Sequence, residues 1–507
     1  MKRTLSVLVA LTMALSLLVG FSANAAPNVE DLPYVELRVF AIADAPRNAD
    51  LAAQYYEKLN AMLLEKLNCT IKYDYAAGND YQNNYQLVMA SGEKYDLIHS
   101  GRWLNFSVNA LKGAFMPLED LLPEYAPFIY SQVGPEIWEA AKIEGHIYGV
   151  PSTWFEWSEC SFFYRLDLVE KYGLEKPRDF ETIAAYLQAV KDNEPDMLPS
   201  DDYQSQVYGT MFIPNTKYQI VDTMGDRHSN FVIDPSNPRQ VLSTIELPEY
   251  KEFMYMMKDW ADRGFWPRSV LSSLEWGVFS VLSGKAAGSF NGQFNNYGWM
   301  VPANEKANPG WKLDYFTYAM GNPDAALLAP SQTGGGLSVT RNADNPERAL
   351  MLIDLVHQDQ ELYDLVRYGM EGINYTLVDG VVDTSEIDIS IYGFNYFPGS
   401  LFASRILERA KTSDWSEAPE RVAAMEAHAI TNLLDGFTFD TSNIEAEYTA
   451  LNQVRIEYAF PLQAGLVDDV DAAYETLLQR SKAAGLEACR VEVERMVNEF
   501  LDSRGVK

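Results

Sequence analysis

Two carboxylates flanked by tryptophans are the side chains of this sequence that could most readily do chemistry. Glu156 and Glu159 lie three residues apart, beside Trp154 and Trp157. Two carboxyl groups placed across a glycosidic bond can act as the acid and the base of sugar hydrolysis. The same groups can accept hydrogen bonds from sugar hydroxyls in a site that only binds, and loop carboxylates are often simply solvated. The spacing does not separate these three interpretations.

Other aromatic side chains recur beside amides where loops or strand ends are expected. They occur at Trp103, at Trp276, in 290–297 and in 392–397. Aromatic faces interleaved with amides and acids match a sugar, which has apolar C–H faces and a rim of hydroxyls. Each cluster alone is more often core packing, but the repetition favours a binding cleft.

Signatures of enzymes and metal sites are missing from the sequence. It has no G-x-S-x-G turn, H-E-x-x-H motif, P-loop, G-x-G-x-x-G fingerprint or EF-hand loop. The five histidines are scattered, without a pair at metal-ligand spacing. The glycines at 334–336 are interpreted as the entry to a strand rather than as a phosphate cradle. We therefore predict no catalytic residue, no metal and no cofactor.

The N-terminus has the features of a secretory signal. Lys2 and Arg3 precede an apolar run, 5–21, and an A-x-A cleavage site at 23–25. We predict that 1–26 is a signal peptide and that the protein is exported. Because the first cysteine is Cys69, no lipid-attachment site is visible.

The composition bounds the size and the partners of the protein. A chain of 507 residues is too long for one compact core, so two or more domains are expected. The net charge of −31 argues against binding to nucleic acid and to anionic lipid, because both require basic side chains. The three cysteines show no C-x-x-C spacing and are predicted to be buried as small apolar groups.

The start of the mature chain predicts a parallel sheet. Apolar periodicity indicates, in order, strand, helix, strand, helix and strand at 35–41, 51–67, 69–75, 81–89 and 95–98. This order requires right-handed crossovers between parallel strands. Ligands bind beyond the carboxyl ends of such strands, which directs attention to 43–47, 79–81 and 100–103.

Later segments continue the alternation of helices and strands. Helices are predicted at 166–172, 180–191, 250–263, 278–284, 345–356 and from 468 onwards, with Gly485 as an interruption. A helix end that runs into a strand is predicted at 285–292, and strands are predicted at 313–318 and 334–340. Residues 145–151 indicate a turn and a strand ended by Pro151, which cannot donate a ladder hydrogen bond. The segment 145–164 is therefore an extended passage between elements.

In this order the segments resemble the extracellular solute-binding proteins of bacterial ABC importers, carbohydrate-binding family 1. The resemblance is to the long Firmicutes branch, which has an extra C-terminal domain. It rests on the signal, the first β-α-β unit, 89–98, 115–121, 148–151 leading to 164–168, 282–287, 345–350 and the tail from Val422. The individual motifs are loose, and their order and spacing make the match specific.

The resemblance implies an α/β fold with two lobes and a ligand cleft at the hinge. Each lobe would be a mainly parallel sheet flanked by helices, as in periplasmic binding proteins. The first lobe would comprise 27–155 and about 320–370. The second would comprise 156–319 and about 371–507, including a helical C-terminal extension.

The resemblance also implies which residues form the wall of the cleft. Glu159 and the tryptophans at 103, 154 and 157 would lie in the first lobe or near the hinge. Asn291, Gln293 and Asn295 would belong to the second lobe. The full predicted ligand-binding set is Arg47, Trp103, Trp154, Glu156, Trp157, Glu159, Trp276, Asn291, Gln293, Asn295, Phe394, Asn395 and Tyr396.

The function implied is that of a monomeric receptor without enzymatic activity. It would bind a carbohydrate, as an oligosaccharide, and deliver it to the transmembrane subunits of an ABC permease, at the extracellular face of the membrane or in the periplasm. Two alternatives stay open. A receptor of the same fold could bind another solute or a peptide, with Arg47 or Arg102 pairing with a peptide terminus. An exported glycoside hydrolase could use Glu156 and Glu159. The missing cysteine departs from the lipoproteins usual in this branch.

Overall fold

The structure is a computed structural model that describes helices and short sheets over most of the chain. The described residues are 29–41, 46, 48–75, 81–101, 104–151, 160–202, 211–221, 230–273, 277–328, 335–384, 387, 405–412 and 417–506. The predicted signal peptide, 1–26, lies outside these ranges.

The first sheet contains five strands in the order β2-β1-β3-β14-β6. Its strands are β1 (Val35–Ala41), β2 (Cys69–Tyr75), β3 (Leu97–Gly101), β6 (Val150–Pro151) and β14 (Gly335–Ser338). β1 pairs in parallel with β2 and β3, which confirms the predicted β-α-β-α-β unit. β14 runs antiparallel to both β3 and β6. We call the part of the chain that packs around this sheet the first lobe.

The longest helix of the first lobe has a capping residue at each end. The helix Ala49–Leu67 begins after Asn48, whose side-chain oxygen accepts a hydrogen bond from the Leu51 N–H at 3.1 Å. It ends at Asn68, whose φ of 45° suits a left-handed C-cap. The other helices of this lobe are Tyr81–Ser91, Phe106–Leu111, Leu122–Tyr125, Pro127–Gln132, Pro135–Ala140, Pro346–Val356 and Gln360–Tyr368.

The second sheet contains four strands in the order β13-β7-β12-β8 and defines the second lobe. Its strands are β7 (Cys160–Arg165), β8 (Leu198–Ser200), β12 (Ala286–Gln293) and β13 (Leu313–Thr317). β7 runs antiparallel to β12 and β13, whereas β12 and β8 are parallel. The predicted α/β class is confirmed, but both sheets are mixed rather than mainly parallel. β7 and β14 enter their sheets from the other lobe, without the crossover that a parallel pair requires.

A third sheet belongs to the C-terminal part of the fold. β9 (Gln219–Ile220), β10 (Phe231–Asp234) and β11 (Asn237–Ser243) form an antiparallel sheet, against which the helix Leu486–Ser503 packs. The second lobe and this region contain the helices Leu166–Tyr172, Phe180–Asn193, Pro248–Asp262, Gly277–Leu282, Phe294–Ala307, Ala418–His428, Glu445–Val454, Phe460–Gln463, Val470–Ala483 and Leu486–Ser503. Within the described ranges, every helix is too short or too polar to cross a membrane.

Three hydrophobic cores correspond to these three sheets, and each contains one cysteine. Cys69 lies in the first core, Cys160 in the second and Cys489 in the third. All three thiols are buried, as expected for cysteines that pack as small apolar groups. In the second core, Phe162 and Tyr164 of β7 pack with their rings 5.8 Å apart.

One predicted lobe boundary is corrected by the packing. Residues after about 370 were expected in the second lobe, yet Tyr375 and Val382 lie in the first core. Arg409 forms an ion pair with Asp364 of the first lobe at 2.9 Å. Arg421 instead pairs with Asp314 on β13 at 2.8 Å. Arg409 is thus attached to the first lobe and Arg421 to the second, each through a carboxylate that is itself largely buried.

Candidate functional site

Four strands of the first sheet end at the same edge, and the fifth begins there. The register pairs Ala41 with Tyr75 and Gly101 with Gly335, and Pro151 lies beside the start of β14. β1, β2, β3 and β6 therefore end at this edge, and β14 begins there. Ligands of open α/β sheets bind beyond such carboxyl ends. This edge is the first half of the candidate site.

The edge of the second sheet supplies the other half. β7 begins at Cys160, which pairs with Gln293 at the end of β12, and Ser161 pairs with Thr317 at the end of β13. Residues 152–159 thus join the edge of the first sheet to the edge of the second. The extended passage predicted at 145–164 therefore starts in the first sheet, with β6, and ends in the second, with β7.

Most candidate residues belong to segments that leave these edges. Residues 102–103 follow the end of β3, and 152–159 follow the end of β6. The candidates that lie outside the described residues are Arg47, Trp103, Trp154, Glu156, Trp157, Glu159, Trp276, Phe394, Asn395 and Tyr396. Their roles stay predictions.

The remaining candidates, Asn291, Gln293 and Asn295, lie where β12 meets a helix. Asn291 is partly exposed on β12, Gln293 is the last residue of that strand, and Asn295 lies in the first turn of the helix Phe294–Ala307. For Gln293 and Asn295 the structure describes only the backbone. The sequence pattern favours 290–297 as an aromatic cluster at a loop or strand end, facing a cleft, but Phe290 and Tyr297 are buried in the second lobe.

A β-bulge in β12 sets the direction of Asn291. Ser289 pairs with Phe163 and Gly292 with Ser161, so Phe290 and Asn291 together oppose a single residue of β7. A bulge re-aims side chains and is frequent beside functional sites. The ring of Phe290 packs in the core, with its centroid 5.7 Å from that of Trp266. Asn291 is left partly exposed at the edge where β12 ends.

The buried carboxylate of Asp202 holds this bulge. It accepts hydrogen bonds from the Ser289 hydroxyl at 2.6 Å, from the Phe290 N–H at 2.8 Å and from the Ser200 hydroxyl at 2.9 Å. Its burial raises the pKa of Asp202 to about 6. A Cβ on Gly277 would lie 2.1 Å from the Asp202 Oδ1, so the helix that begins there requires glycine.

Sequence reasoning missed Asp202. It lies in an acidic stretch with two prolines, 192–203, whose composition favours a loop or an insertion. The available signal was local: two aspartates follow the short strand β8 directly. The residues that donate to Asp202 are up to 88 positions away, so their contact required the folded sheet.

A small hollow marks the first-lobe half of the site. It has a volume of about 20 Å³ and is lined by Ser100, Phe106, Gly149, Pro151 and Gly336, among others. A Cβ on Gly336 would lie 2.1 Å from the Val150 carbonyl oxygen. The glycine therefore permits the close approach of β14 and β6, and it confirms that 335–338 form a strand rather than a phosphate cradle.

Comparison with known families gives two matches along the chain. Residues 45–357 match the family described as bacterial extracellular solute-binding protein. Residues 433–502 match a domain of unknown function, DUF3502. The second match covers most of the C-terminal helices and agrees with the predicted extra domain.

Individual relatives are distant but span nearly the whole chain. A carbohydrate ABC transporter substrate-binding protein of Streptococcus pneumoniae is 24% identical, over 96% of this chain and 94% of that protein. The crystal structure of the N-glycan transport solute-binding protein NgtS of Streptococcus pneumoniae, in complex with Man1GlcNAc, has a TM-score of 0.70 at 21% identity, covering 92% of this chain and 99% of the other. An HMO-binding, ABC-transporter-associated solute-binding protein of Bifidobacterium longum infantis has a TM-score of 0.66 at 16% identity, covering 92% of this chain and 99% of the other. These similarities establish the two-lobed fold.

Proposed function

Since the chain belongs to the family of bacterial extracellular solute-binding proteins, we propose that it is the receptor of an ABC importer and that its solute is an oligosaccharide. The observation that carries the proposal is the chain connection between the two sheet edges. Residues 152–159 run from Pro151 at the end of β6 to Cys160 at the start of β7. A solute held by this segment would face both lobes at once.

The side chains of the connecting segment suit a sugar. Trp154 and Trp157 would stack on the apolar faces of sugar rings, while Glu156 and Glu159 would accept hydrogen bonds from hydroxyls. Asn291, at the edge of the second sheet, would supply an amide to the same rim. The names of the relatives support this ligand class, since one is a carbohydrate transporter component and another was crystallised with Man1GlcNAc.

Closure of the lobes would complete the site. Hinge closure around a ligand removes water, and hydrogen bonds are stronger in the resulting low dielectric. The bulge at Phe290 and Asn291 is fixed by Asp202 before a ligand arrives, so part of the second-lobe wall is pre-organised. Binding and release would suffice for this function, and the two glutamates would serve as acceptors rather than as acid and base.

The setting of the receptor follows from its family. Its partners would be the transmembrane subunits of the importer, and it would act as a monomer at the outer face of the cell membrane or in the periplasm. Export rests on the predicted signal peptide and on the family, whose members are described as extracellular.

A thermal-shift screen tests the ligand class. The purified mature chain is heated with a panel of mono- and oligosaccharides and, in parallel, with peptides. An oligosaccharide present at ~100 times its Kd should add roughly 2.7 kcal/mol to the free energy of unfolding. A shift with peptides and with no glycan would overturn the carbohydrate proposal.

Analysis of the products tests the absence of catalysis. Each oligosaccharide that gives a shift is incubated with the protein and then separated by chromatography. We expect the oligosaccharide to be recovered intact. Shorter products that disappear in both Glu156→Gln and Glu159→Gln variants would identify a glycoside hydrolase instead.

A further inference from the structure

A second cavity lies away from the sheet edges, between the second and third cores. Its apolar lining comes from both, with Tyr250 and Leu477 from the second core and Leu451 and Leu486 from the third. The volume open to the centre of a water-sized sphere is about 30 Å³. The cavity therefore sits at the seam that joins the C-terminal helices to the second lobe.

Three polar atoms of this cavity are buried without a protein partner. They are the Ser243 hydroxyl, the Thr244 hydroxyl and the side-chain oxygen of Gln463; among the described residues none of them forms a hydrogen bond. The three side chains are exposed by only 3%, 6% and 8%. A buried polar group left without any partner costs roughly 1–3 kcal/mol. Three such groups around one cavity indicate a shared polar occupant.

The orientation of Gln463 is fixed by a separate contact. Its side-chain N–H donates to the Tyr250 hydroxyl at 3.2 Å, which leaves the amide oxygen as an acceptor for the cavity. Ser243 ends β11, Thr244 begins a short 3-10 turn, and Gln463 ends the helix Phe460–Gln463. The polar atoms thus come from segments on both sides of the seam.

A π-helical turn, Arg455–Ala459, forms part of the same lining. Pro461, two residues beyond it, has no N–H to donate to the carbonyl of Glu457, which explains why the regular helical ladder is interrupted here. Such turns widen a helix locally and occur frequently at functional sites. The turn brings Arg455 to the cavity wall.

The polar groups that line the cavity favour an occupant without charge. A cation would face the guanidinium of Arg455, and an anion would face the amide oxygen of Gln463. The hydroxyls of Ser243 and Thr244 can both donate and accept. A water molecule needs roughly 10–15 Å³ on this measure of volume, so the cavity holds about two.

From these observations we propose that the cavity is a binding site for about two ordered water molecules, which bridge the C-terminal helices to the second lobe. The waters donate to the Gln463 oxygen and exchange hydrogen bonds with the Ser243 and Thr244 hydroxyls. The inference does not depend on the identity of the solute, because the cavity lies outside the proposed ligand cleft.

A crystal structure of the mature chain at about 1.5 Å resolution gives the direct test, because ordered waters of this kind are visible there. We expect water peaks within hydrogen-bond distance of the Gln463 oxygen and of at least one of the two hydroxyls. A cavity without ordered density would overturn the proposal. A crystal soaked in sodium bromide gives a further test, since an anomalous peak in the cavity would identify an anion site instead.

Thermal unfolding of matched variants gives an independent test. Thr244→Val and Gln463→Met each remove one anchor of the waters and should lower the Tm by about 2–4 °C. The triple variant Ser243→Ala, Thr244→Val, Gln463→Met removes all three polar atoms. Because none of the three is then left buried without a partner, its Tm should return close to that of the wild type. Thr476→Val, in the helix Val470–Ala483 on an exposed face, is the matched control. A rise in Tm for each single variant would indicate a dry cavity and overturn the proposal.

Discussion

The backbone N–H of Phe290 donates a hydrogen bond to the carboxylate of Asp202 at 2.8 Å, and Asp202 has no exposed surface. The same carboxylate holds the hydroxyl of Ser289, so two successive residues of the bulged strand depend on it. Asn291 follows directly and is proposed to touch the solute. Asp202 is therefore a positioning residue, which acts on the site through the backbone of β12.

This burial predicts a specific dependence of stability on pH. Burial raises the pKa of Asp202 to about 6, above the value of about 3.9 for an unfolded aspartate. The folded state therefore holds the proton more tightly, and the resulting stabilisation is complete below about pH 4 and lost as the pH rises through about 6. From pH 4 to 7.5, the free energy of unfolding of the wild type should fall by roughly 2–3 kcal/mol relative to that of Asp202→Asn.

Denaturant unfolding of both proteins across this pH range makes the measurement. Asp324→Asn, which removes an exposed carboxylate, controls for the loss of one negative charge. If the free energy of unfolding of Asp202→Asn depends on pH in the same way as that of the wild type, the assigned role of Asp202 is wrong. The variant should also weaken solute binding, because an amide keeps only one of the two carboxylate oxygens that accept hydrogen bonds from Ser289 and Phe290.

The close approach of β14 and β6 predicts that Gly336 cannot be replaced. In Gly336→Ala, the new methyl group would meet the Val150 carbonyl oxygen at 2.1 Å, which is backbone and cannot rotate away. Overpacking of this kind should cost about 1–3 kcal/mol of the free energy of unfolding. Gly298→Ala is the control, because it lies in a helix with nothing within 4 Å of the added atom. That change should stabilise by about 0.5–1 kcal/mol, and equal effects of the two would refute the argument.

Two basic side chains pair with Asp314, and we predict that they contribute unequally to stability. One of them, Arg421, attaches the C-terminal segment to the second lobe. Arg421 pairs with Asp314 at 2.8 Å and Lys176 pairs with it at 3.0 Å, while the Asp314 side chain is 4% exposed. Arg421→Met should cost about 3–5 kcal/mol, because it takes the main partner from a buried charge. Lys176→Met should cost at most about 1 kcal/mol, since the lysine is largely exposed. Similar losses in chemical denaturation would contradict this ranking.

Local patterns in the sequence predicted the elements of the fold well, for a physical reason. Alternation and helical spacing report which face of an element is buried, and this is why β1, β2 and the helix Ala49–Leu67 were found at nearly their observed bounds. The same patterns carry no information on the direction of a pairing. The antiparallel arrangement of β7, β12 and β13 was therefore missed, and so was the hairpin of β10 and β11.

The sequence predicted those parts of the candidate site that follow from the order of segments along the chain. It did not predict the parts that depend on contacts between distant segments. The position of 152–159 between two sheets followed from segment order and is confirmed by Pro151 and Cys160. Phe290 and Tyr297 were misplaced, because an aromatic residue beside amides gives the same sequence signal in a cleft and in a core. Asp202 acquires its role from a strand 88 positions later, a contact that no local pattern encodes.

The connecting segment predicts a separation between binding and stability at Trp157. Because its side chain is proposed to stack on a sugar, Trp157→Ala should abolish the thermal shift caused by an oligosaccharide and leave the unliganded Tm nearly unchanged. Trp266→Ala is the matched control, since Trp266 is 3% exposed and its indole N–H donates to the Ala464 carbonyl at 3.0 Å. Its loss should cost about 3–5 kcal/mol of the free energy of unfolding. If the unliganded Tm falls as far in Trp157→Ala as in Trp266→Ala, Trp157 lies in a core. A ring packed in a core stabilises the protein without ligand, whereas a ring in the cleft contributes only when the ligand is bound.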